Sequence, residues 1–225
     1  MADDSRTDDS ITEFETLIAG FRRFRLGSYR QQRERYDRLA HEGQSPRLMI
    51  IACSDSRTDP SLVFDTAPGQ VFVLRNIANL VPPYAAIEGQ SSVAAALEYA
   101  VSQLHVEYIV VFGHGRCGGI AAALAGDFDN PVAGQHIHAW MEFIAPARDA
   151  IKAAAVLSPD IDAPRALEQA AVRISIDNLR SYPFVAEAER AGHLHLEGCL
   201  FDIAEGSLKV LDWASGQFQP VSVEL

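Results

Sequence analysis

The chain has 225 residues, of which 48% are hydrophobic and 22% are charged, which is the composition of an ordinary globular protein. Its formal net charge of −11 argues against a nucleic-acid partner, because phosphate binding requires clustered Lys and Arg. No apolar run approaches the ~20 residues of a membrane-spanning helix. Three cysteines cannot form a disulfide framework, and the first ten residues, MADDSRTDDS, lack a signal-peptide pattern. We therefore expect a cytoplasmic protein without a membrane or nucleic-acid partner.

The N-terminal part of the chain is predicted to be helical. Residues 1–10 are expected to form a disordered acidic tail. Residues 11–42 have apolar side chains at helical spacing, beginning with Phe14, and Gly27 is the expected break between two helices. A helical arm ahead of the first strand is expected to lie on another surface, and a partner subunit is a candidate.

The middle of the chain alternates between strand and helix patterns. Three continuous apolar runs are typical of buried parallel strands, namely RLMIIAC (47–53), QVFVLRN (70–76) and EYIVVFG (107–113). Residues 88–104, between the second and third runs, have apolar residues three and four apart and are predicted to form a helix. This alternation predicts an α/β fold with a parallel core sheet.

The last part of the chain is predicted to be mainly helical and to end in a hairpin. Helices are expected at about 117–126, 134–155, 163–180 and 183–191. The segments HLHLEGCLFDI and SLKVLDW, which have EG between them, predict a hairpin that adds an edge to the sheet. The whole prediction is an α/β fold with a parallel-core sheet, flanking helices, an N-terminal arm and a C-terminal edge hairpin, in which residues 11–225 form one domain.

The segment FGHGRCGGI (112–120) admits two interpretations. Its glycines spell G-x-G-x-x-G after an apolar run, which is the pattern of a dinucleotide-binding loop. That site also needs an acidic residue about 20 positions on, and this position falls near His138, inside a predicted helix. The dinucleotide interpretation is therefore weakly supported.

The second interpretation is a metal site. His114 and Cys117 lie three residues apart after one predicted strand, and Cys53 ends another. Ligand sites in open α/β sheets gather beyond the carboxyl ends of the strands, so the three side chains can meet there. Two thiolates and an imidazole suit zinc, and three protein ligands leave a fourth position open, as in catalytic zinc sites. Cys199 has no such partners and is predicted to be a buried small hydrophobic residue.

The segments CSDSR (53–57) and HGRCGG (114–119), in this order, resemble the β-class carbonic anhydrases. The similarity extends to RNIANLVPPY (75–84), ALEYAV (96–101) and VRISIDNLRSYPFV (172–185), and it covers roughly residues 12–213. The resemblance implies one Zn²⁺ per subunit, bound by Cys53, His114 and Cys117. It also implies that Asp55 and Arg57 form a catalytic pair beside the metal.

The resemblance implies further residues that would line the substrate pocket. In the plant-like type of the family, zinc keeps water or hydroxide as its fourth ligand. The pocket positions of that type are occupied in this sequence by Gln44, Phe72, Ile77, Tyr99 and Gly118. A second type closes its site at low pH, when the Asp binds the zinc, and carries a Trp where this chain has Ile50. The resemblance therefore implies the plant-like, open type.

The implied function is zinc-dependent reversible hydration of carbon dioxide to bicarbonate and a proton by zinc-bound hydroxide. Because the family's pockets form between subunits, a homodimer or a higher homo-oligomer, such as a tetramer or octamer, is implied as well. Two alternatives stay open at the level of sequence. One is hydrolysis of carbon disulfide or carbonyl sulfide on the same zinc site, and the other is a non-catalytic zinc-binding regulatory protein.

Overall fold

The computed structural model describes the chain over residues 12–87, 89–128 and 131–223. The chain divides into two compact units, of which the first ends at Gln44 and the second begins at Ser45. The predicted acidic tail, residues 1–10, lies outside the described residues. The prediction of one domain over residues 11–225 stays a prediction.

From residue 12 onward, where the structure describes it, the N-terminal unit contains the helices α1 (Glu13–Leu26), α2 (Ser28–Gln31) and α3 (Arg33–Glu42). Helix α1 begins with a capping box: Glu15 N–H donates to Thr12 Oγ1 at 3.2 Å, and Thr12 N–H donates to the Glu15 carboxylate at 2.8 Å. Gly27 ends α1, which confirms the predicted break. The Phe24 ring lies 6.0 Å from that of Tyr36, so aromatic contacts join α1 to α3.

The second unit contains one mixed sheet with the strand order β2-β1-β3-β4-β5-β6. The strands are β1 (Leu48–Cys53), β2 (Val71–Asn76), β3 (Tyr108–His114), β4 (His195–Asp202), β5 (Ser207–Asp212) and β6 (Gln217–Pro220). Strands β1 to β4 pair in parallel, whereas β5 and β6 add antiparallel pairs. The predicted parallel core is therefore confirmed. The first strand of the predicted hairpin, β4, lies inside the sheet, and β6 was not predicted.

Helices connect and flank these strands. They are α4 (Pro60–Val63), α5 (Ser92–Glu98), α6 (Gly118–Ala125), α7 (Pro131–Met141), α8 (Ala145–Leu157), α9 (Ala163–Leu179) and α10 (Pro183–Arg190). Helix α5 continues as a wider helical turn over Tyr99–Gln103. The four-residue α4 was not predicted, because it is too short for helical periodicity and depends on its ends. Asp59 caps it by accepting a hydrogen bond from Ser61 N–H at 2.9 Å.

The core is closely packed because two glycines let α9 approach the sheet. A Cβ on Gly113 would lie 2.6 Å from Val172 Cγ2, and one on Gly198 would lie 2.9 Å from Val172 Cγ1. The opposite face of the sheet buries Cys199 among Ile50, Ala52 and Phe112, which confirms the prediction for this cysteine. Burial raises the pKa of the Cys199 thiol to about 12. None of the helices that the structure describes has the length and apolar character needed to cross a bilayer.

Candidate metal centre

Strand register brings the predicted metal ligands to one edge of the sheet. Strands β1 and β3 are parallel neighbours, with Ala52 opposite Phe112, so Cys53 and His114 end their strands at the same edge. The chain then turns through Arg116, whose φ of 57° lies in the left-handed region. This turn returns Cys117 to the strand ends, where it stands at the N-terminus of α6.

The three side chains form a compact, buried group. One sulfur or nitrogen atom from each of Cys53, His114 and Cys117 lies within 4.8 Å of the others, and the two sulfurs are 4.0 Å apart. Each residue is at most 5% exposed. The ends of the predicted strands placed these residues near one another, and the structure brings them together.

The state of His114 indicates that the group fits a cation. Its Nδ1 is 2.9 Å from the Gly115 carbonyl oxygen, which requires the proton on Nδ1 and leaves a lone pair on Nε2. The Nε2 atom is buried and has no hydrogen-bond partner among the described residues. A buried polar atom without a partner is costly unless something else binds it. Together with two sulfurs, this nitrogen offers the donor set that zinc prefers.

The two thiols also favour a positive charge between them. The hydrogen bond from Cys117 lowers the pKa of Cys53 well below its ordinary value, and the hydrogen bond to Cys53 raises the pKa of Cys117 well above its own. Without a cation, the second sulfur would keep its proton because two thiolates at this distance repel each other. A bound cation would allow both to ionise.

Asp55 lies beside the group and is held by Arg57. The guanidinium donates from Nε to Oδ1 at 2.9 Å and from Nη2 to Oδ2 at 2.6 Å, and Arg57 N–H donates to Oδ1 at 3.0 Å. These hydrogen bonds hold the pKa of Asp55 well below its ordinary value of 3.8. Oδ2 of Asp55 is 3.9 Å from His114 Nε2, so the carboxylate faces the predicted metal ligands while it is paired with Arg57.

Two charged residues near the centre were not given a role by the sequence. Arg75 donates from Nε to the Cys53 carbonyl at 2.9 Å, from Nη2 to the Asp55 carbonyl at 2.8 Å and from Nη1 to Asp59 at 2.8 Å. It therefore ties the backbone of the ligand loop to β2. Glu168, on α9, accepts a hydrogen bond from Cys117 N–H at 3.3 Å. The RNIANL segment gives a sequence signal for Arg75, whereas nothing in the helical pattern of α9 distinguishes Glu168.

The predicted pocket residues fall into separate places. Ile77 lies close to the centre, because a Cβ on Gly119 would lie 3.0 Å from Ile77 Cγ2. Gly118 is the first residue of α6, and no heavy atom of the residues that the structure describes lies within 4 Å of the position that its Cβ would take. An open groove of about 690 Å³ has Ile77 and Trp140 in its mainly apolar lining. Trp140 Nε1–H donates to the Ile77 carbonyl at 2.9 Å.

Phe72 and Tyr99 do not join this group within one chain. Phe72 pairs with Met49, four residues before Cys53, so it lies roughly 13 Å along the strands from the cysteine. The Tyr99 ring packs against the Phe72 ring with the centroids 5.8 Å apart. Gln44 belongs to the N-terminal unit, and its place in the pocket stays a prediction.

Comparison with known proteins decides the family. A family model described as carbonic anhydrase matches residues 48–208. The chain is also 37% identical to β carbonic anhydrase 3 of Arabidopsis thaliana over 200 residues, which is 88% of this chain and 77% of that protein. The chain belongs to the β-class carbonic anhydrases. Membership of this family makes it an enzyme, a carbonate dehydratase.

Solved structures of other β-class carbonic anhydrases share the fold. The β-carbonic anhydrase CcaA is 30% identical, with a TM-score of 0.86 over 93% of this chain and 100% of that one. A β-carbonic anhydrase described as tetrameric, from the filamentous ascomycete Sordaria macrospora, is also 30% identical. Its TM-score is 0.73 over 88% of this chain and 96% of that one.

Proposed function

We propose that this carbonic anhydrase catalyses the zinc-dependent, reversible hydration of carbon dioxide to bicarbonate and a proton. Cys53, His114 and Cys117 would bind the zinc ion. The observation that supports this most directly is their compact group of two sulfurs and a buried nitrogen that has no hydrogen-bond partner in the described part of the chain, next to an ionised carboxylate. When bound, zinc lowers the pKa of a water molecule from 15.7 to about 7 and so supplies hydroxide near neutral pH.

Because the donor set contains two thiolates, the groups around the metal would have to help stabilise the negative charge that develops in the reaction. Two thiolates cancel the charge of Zn²⁺, whereas three neutral imidazoles would leave two positive charges. The thiolate-rich centre would therefore stabilise a developing anion less, and other groups must compensate. Asp55 and the N-terminus of α6 are the groups in position to do so.

Asp55 would orient the attacking oxygen. Its Oδ2 faces the buried His114 Nε2 and can accept a hydrogen bond from a hydroxyl group held between the ligands. Accepting that bond would aim an oxygen lone pair at carbon dioxide. The carboxylate must stay ionised for this role, and the hydrogen bonds from Arg57 keep it so.

Arg57 would also keep Asp55 off the metal. Both Asp55 oxygens accept hydrogen bonds from the guanidinium, which is held in turn by its own bond to the Arg116 carbonyl at 3.1 Å. Asp55 could bind the cation only after breaking this bidentate pair. The pairing supports the open, plant-like type of site.

The substrate would bind between Gly118 and an apolar wall. The first N–H groups of a helix have no partner within the helix, so Gly118 N–H could donate to a bicarbonate oxygen as charge develops. The open space beside Gly118 leaves room for that oxygen. Ile77 and the apolar groove next to it suit a linear, uncharged gas.

We further propose a homodimer or a higher homo-oligomer, such as a tetramer or octamer. Phe72 and Tyr99 lie too far from Cys53 in their own chain and would complete the pocket of a neighbouring subunit, together with Gln44. Strand β2 is an edge strand and therefore suited to an interface. Helix α1 adds the apolar side chains of Phe14 and Phe21, both more than half exposed.

Sedimentation equilibrium tests the assembly. Replacing Phe14 and Phe21 by Ser should shift the protein toward monomer and lower its activity. Replacing Arg22, an exposed polar residue on the same helix, by Ser is the matched control and should do neither. A fully active wild-type monomer would refute the shared pocket.

Stopped-flow measurement of carbon dioxide hydration, on protein with quantified zinc, tests the proposed reaction. Turnover should scale with zinc content and disappear in a Cys117→Ser variant. Carbonyl sulfide and carbon disulfide should be assayed in parallel. Hydrolysis of either gas without hydration of carbon dioxide would favour the alternative enzyme, and zinc binding without any turnover would favour a regulatory protein.

We also propose a cytoplasmic location. The described cysteines are all unpaired, and a reducing compartment would keep Cys53 and Cys117 available as thiolates. Fractionation of cells that produce the protein tests this. Recovery in an organelle or an extracellular fraction would contradict it.

A further inference from the structure

A buried carboxylate lies beneath the turn that carries two of the metal ligands. Glu168 is only 5% exposed, although it is a charged type of residue on a helix. Its Oε1 accepts a hydrogen bond from Cys117 N–H at 3.3 Å. Carboxylates are rarely buried unless a partner requires them, so this contact needs an explanation.

Close packing determines where Glu168 can reach. Glu168 and Val172 are four residues apart and so share one face of α9. Val172 packs directly against Gly113, the residue before His114, at a distance that excludes any side chain there. Glu168 therefore approaches the turn from a helix that cannot easily move relative to β3.

A second helix residue holds Glu168 from the other side. Arg165 Nε is 3.8 Å from Glu168 Oε2, and Arg165 Nη2 donates to Asp202, the last residue of β4. The same end of β4 binds the turn directly, because Gly115 N–H donates to the Phe201 carbonyl at 2.8 Å. The turn is thus held by α9 through Glu168 and by β4 through its backbone.

The turn needs such support because it contains an unfavourable backbone conformation. Arg116 has a φ of 57°, which costs a non-glycine residue on the order of 1 kcal/mol and persists only when surrounding contacts impose it. Removing the acceptor from Cys117 N–H would leave a buried donor without the hydrogen bond that the structure gives it. The turn could then relax and change the separation of the Cys117 sulfur and the His114 nitrogen.

We propose that Glu168 is a positioning residue that holds the His114–Cys117 turn in the geometry that binds zinc. This inference rests on the proposed function for the identity of the cation. Glu168 acts through the backbone of Cys117 and need not touch the metal or the substrate. Its role requires an acceptor oxygen, which both a carboxylate and an amide provide.

Zinc affinity and amide exchange test the proposal together. Zn²⁺ affinity of the full chain should be measured by competition with a chromophoric chelator for the wild type, Glu168→Ala and Glu168→Gln. The Ala variant should bind zinc about 10- to 100-fold more weakly, as is usual when an outer partner of a metal ligand is lost. The Gln variant keeps an acceptor and should stay within about threefold of the wild type.

Leu179→Ala is the control for general destabilisation. Leu179 is fully buried on the same helix, roughly 16 Å from Glu168 along its axis. This variant should lower the melting temperature without changing the zinc affinity. Hydrogen exchange of the metal-free proteins should show faster exchange in residues 113–120 for Glu168→Ala but not for Leu179→Ala.

The outcomes are distinguishable. Unchanged zinc affinity and unchanged exchange in Glu168→Ala would overturn the proposal, and so would a Gln variant as weak as the Ala variant. A wild-type protein that binds no zinc would refute the proposed function instead. In that case, exchange in the metal-free proteins would still decide whether Glu168 holds the turn.

Discussion

Ser175, on α9, and Ser181, just after α9, make the same pair of backbone hydrogen bonds but differ in burial. Ser175 Oγ accepts a hydrogen bond from Val81 N–H at 3.2 Å and donates to the Asn79 carbonyl at 3.1 Å. Ser181 Oγ likewise accepts from Tyr84 N–H at 2.8 Å and donates to a carbonyl oxygen at 2.5 Å. Ser175 is fully buried, whereas Ser181 is exposed. Replacing each by Ala therefore isolates the effect of burial.

The expected effects follow from what happens to the released backbone groups. In Ser175→Ala, the Val81 N–H and the Asn79 carbonyl lose these hydrogen bonds, and both residues are no more than 3% exposed. Each buried group left unpaired costs about 1–3 kcal/mol, so the free energy of unfolding should fall by about 2–6 kcal/mol. In Ser181→Ala, water can replace the hydroxyl, and the loss should stay below about 1 kcal/mol. For a chain of this length, the Ser175 variant should melt roughly 4–24 °C lower.

Urea denaturation with a shared m-value measures both variants. The Ser175→Ala variant should also lose zinc affinity or activity, because Ser175 holds the loop that follows Asn76 at the end of β2. Equal losses for the two variants, or a Ser175→Ala protein within about 0.5 kcal/mol of the wild type, would show that the buried groups find other partners. Burial would then not determine the cost of losing the hydroxyl group.

Three further predictions follow from the site and the core. Asp55→Asn should retain zinc but lose roughly 10²-fold or more in turnover, because the amide cannot replace the ionised carboxylate; full activity in zinc-loaded protein would exclude Asp55 from the reaction. Gly113→Ala should lower the free energy of unfolding by about 1–3 kcal/mol, since the new methyl group would overlap Val172, and denaturation at the wild-type level would contradict this. The hydrogen bond from Arg165 lowers the pKa of Asp202 below its ordinary value of 3.8. As the pH falls, Asp202 therefore stays ionised to a lower pH in the native state than in the unfolded state. The stability that the pair with Arg165 contributes is present above about pH 4 and is lost as the pH falls below it. Asp202→Asn should flatten the acid limb of the stability profile, and an unchanged slope between pH 4 and 2 would show that the pair contributes nothing.

Patterns that act over short distances were predictable from the sequence. The apolar runs of β1, β2 and β3 are continuous because both faces of a parallel sheet are buried, and Gly27 marks a helix end by its backbone freedom. The metal group was predictable as well. Its residues stand at the ends of neighbouring strands, and the topology of an open α/β sheet places such ends together.

Features that depend on tertiary packing were not predictable. Strand β6 is only four residues long, with a single buried side chain, Phe218, so its sequence shows no alternation. Glu168 sits in a helix whose other residues give a normal amphipathic pattern, and its burial follows from the approach of α9 to β3. The separation of Phe72 from the centre also required the observed register, because a motif gives position in sequence but not in space.

The proposed metal ligands come from the ends of strands β1 and β3 and from the N-terminus of α6, and Cys53 and His114 are 61 positions apart along the chain. Their meeting depends on a long-range parallel pairing, which loop-closure entropy opposes in the unfolded chain. A cation would consequently select the finished sheet and have little affinity for the unfolded chain. Stability would then rise with the logarithm of free zinc, by about 2.7 kcal/mol at a hundredfold excess over Kd. When the metal is scarce, a larger fraction of the protein would unfold and be degraded, and catalysis would be lost as well.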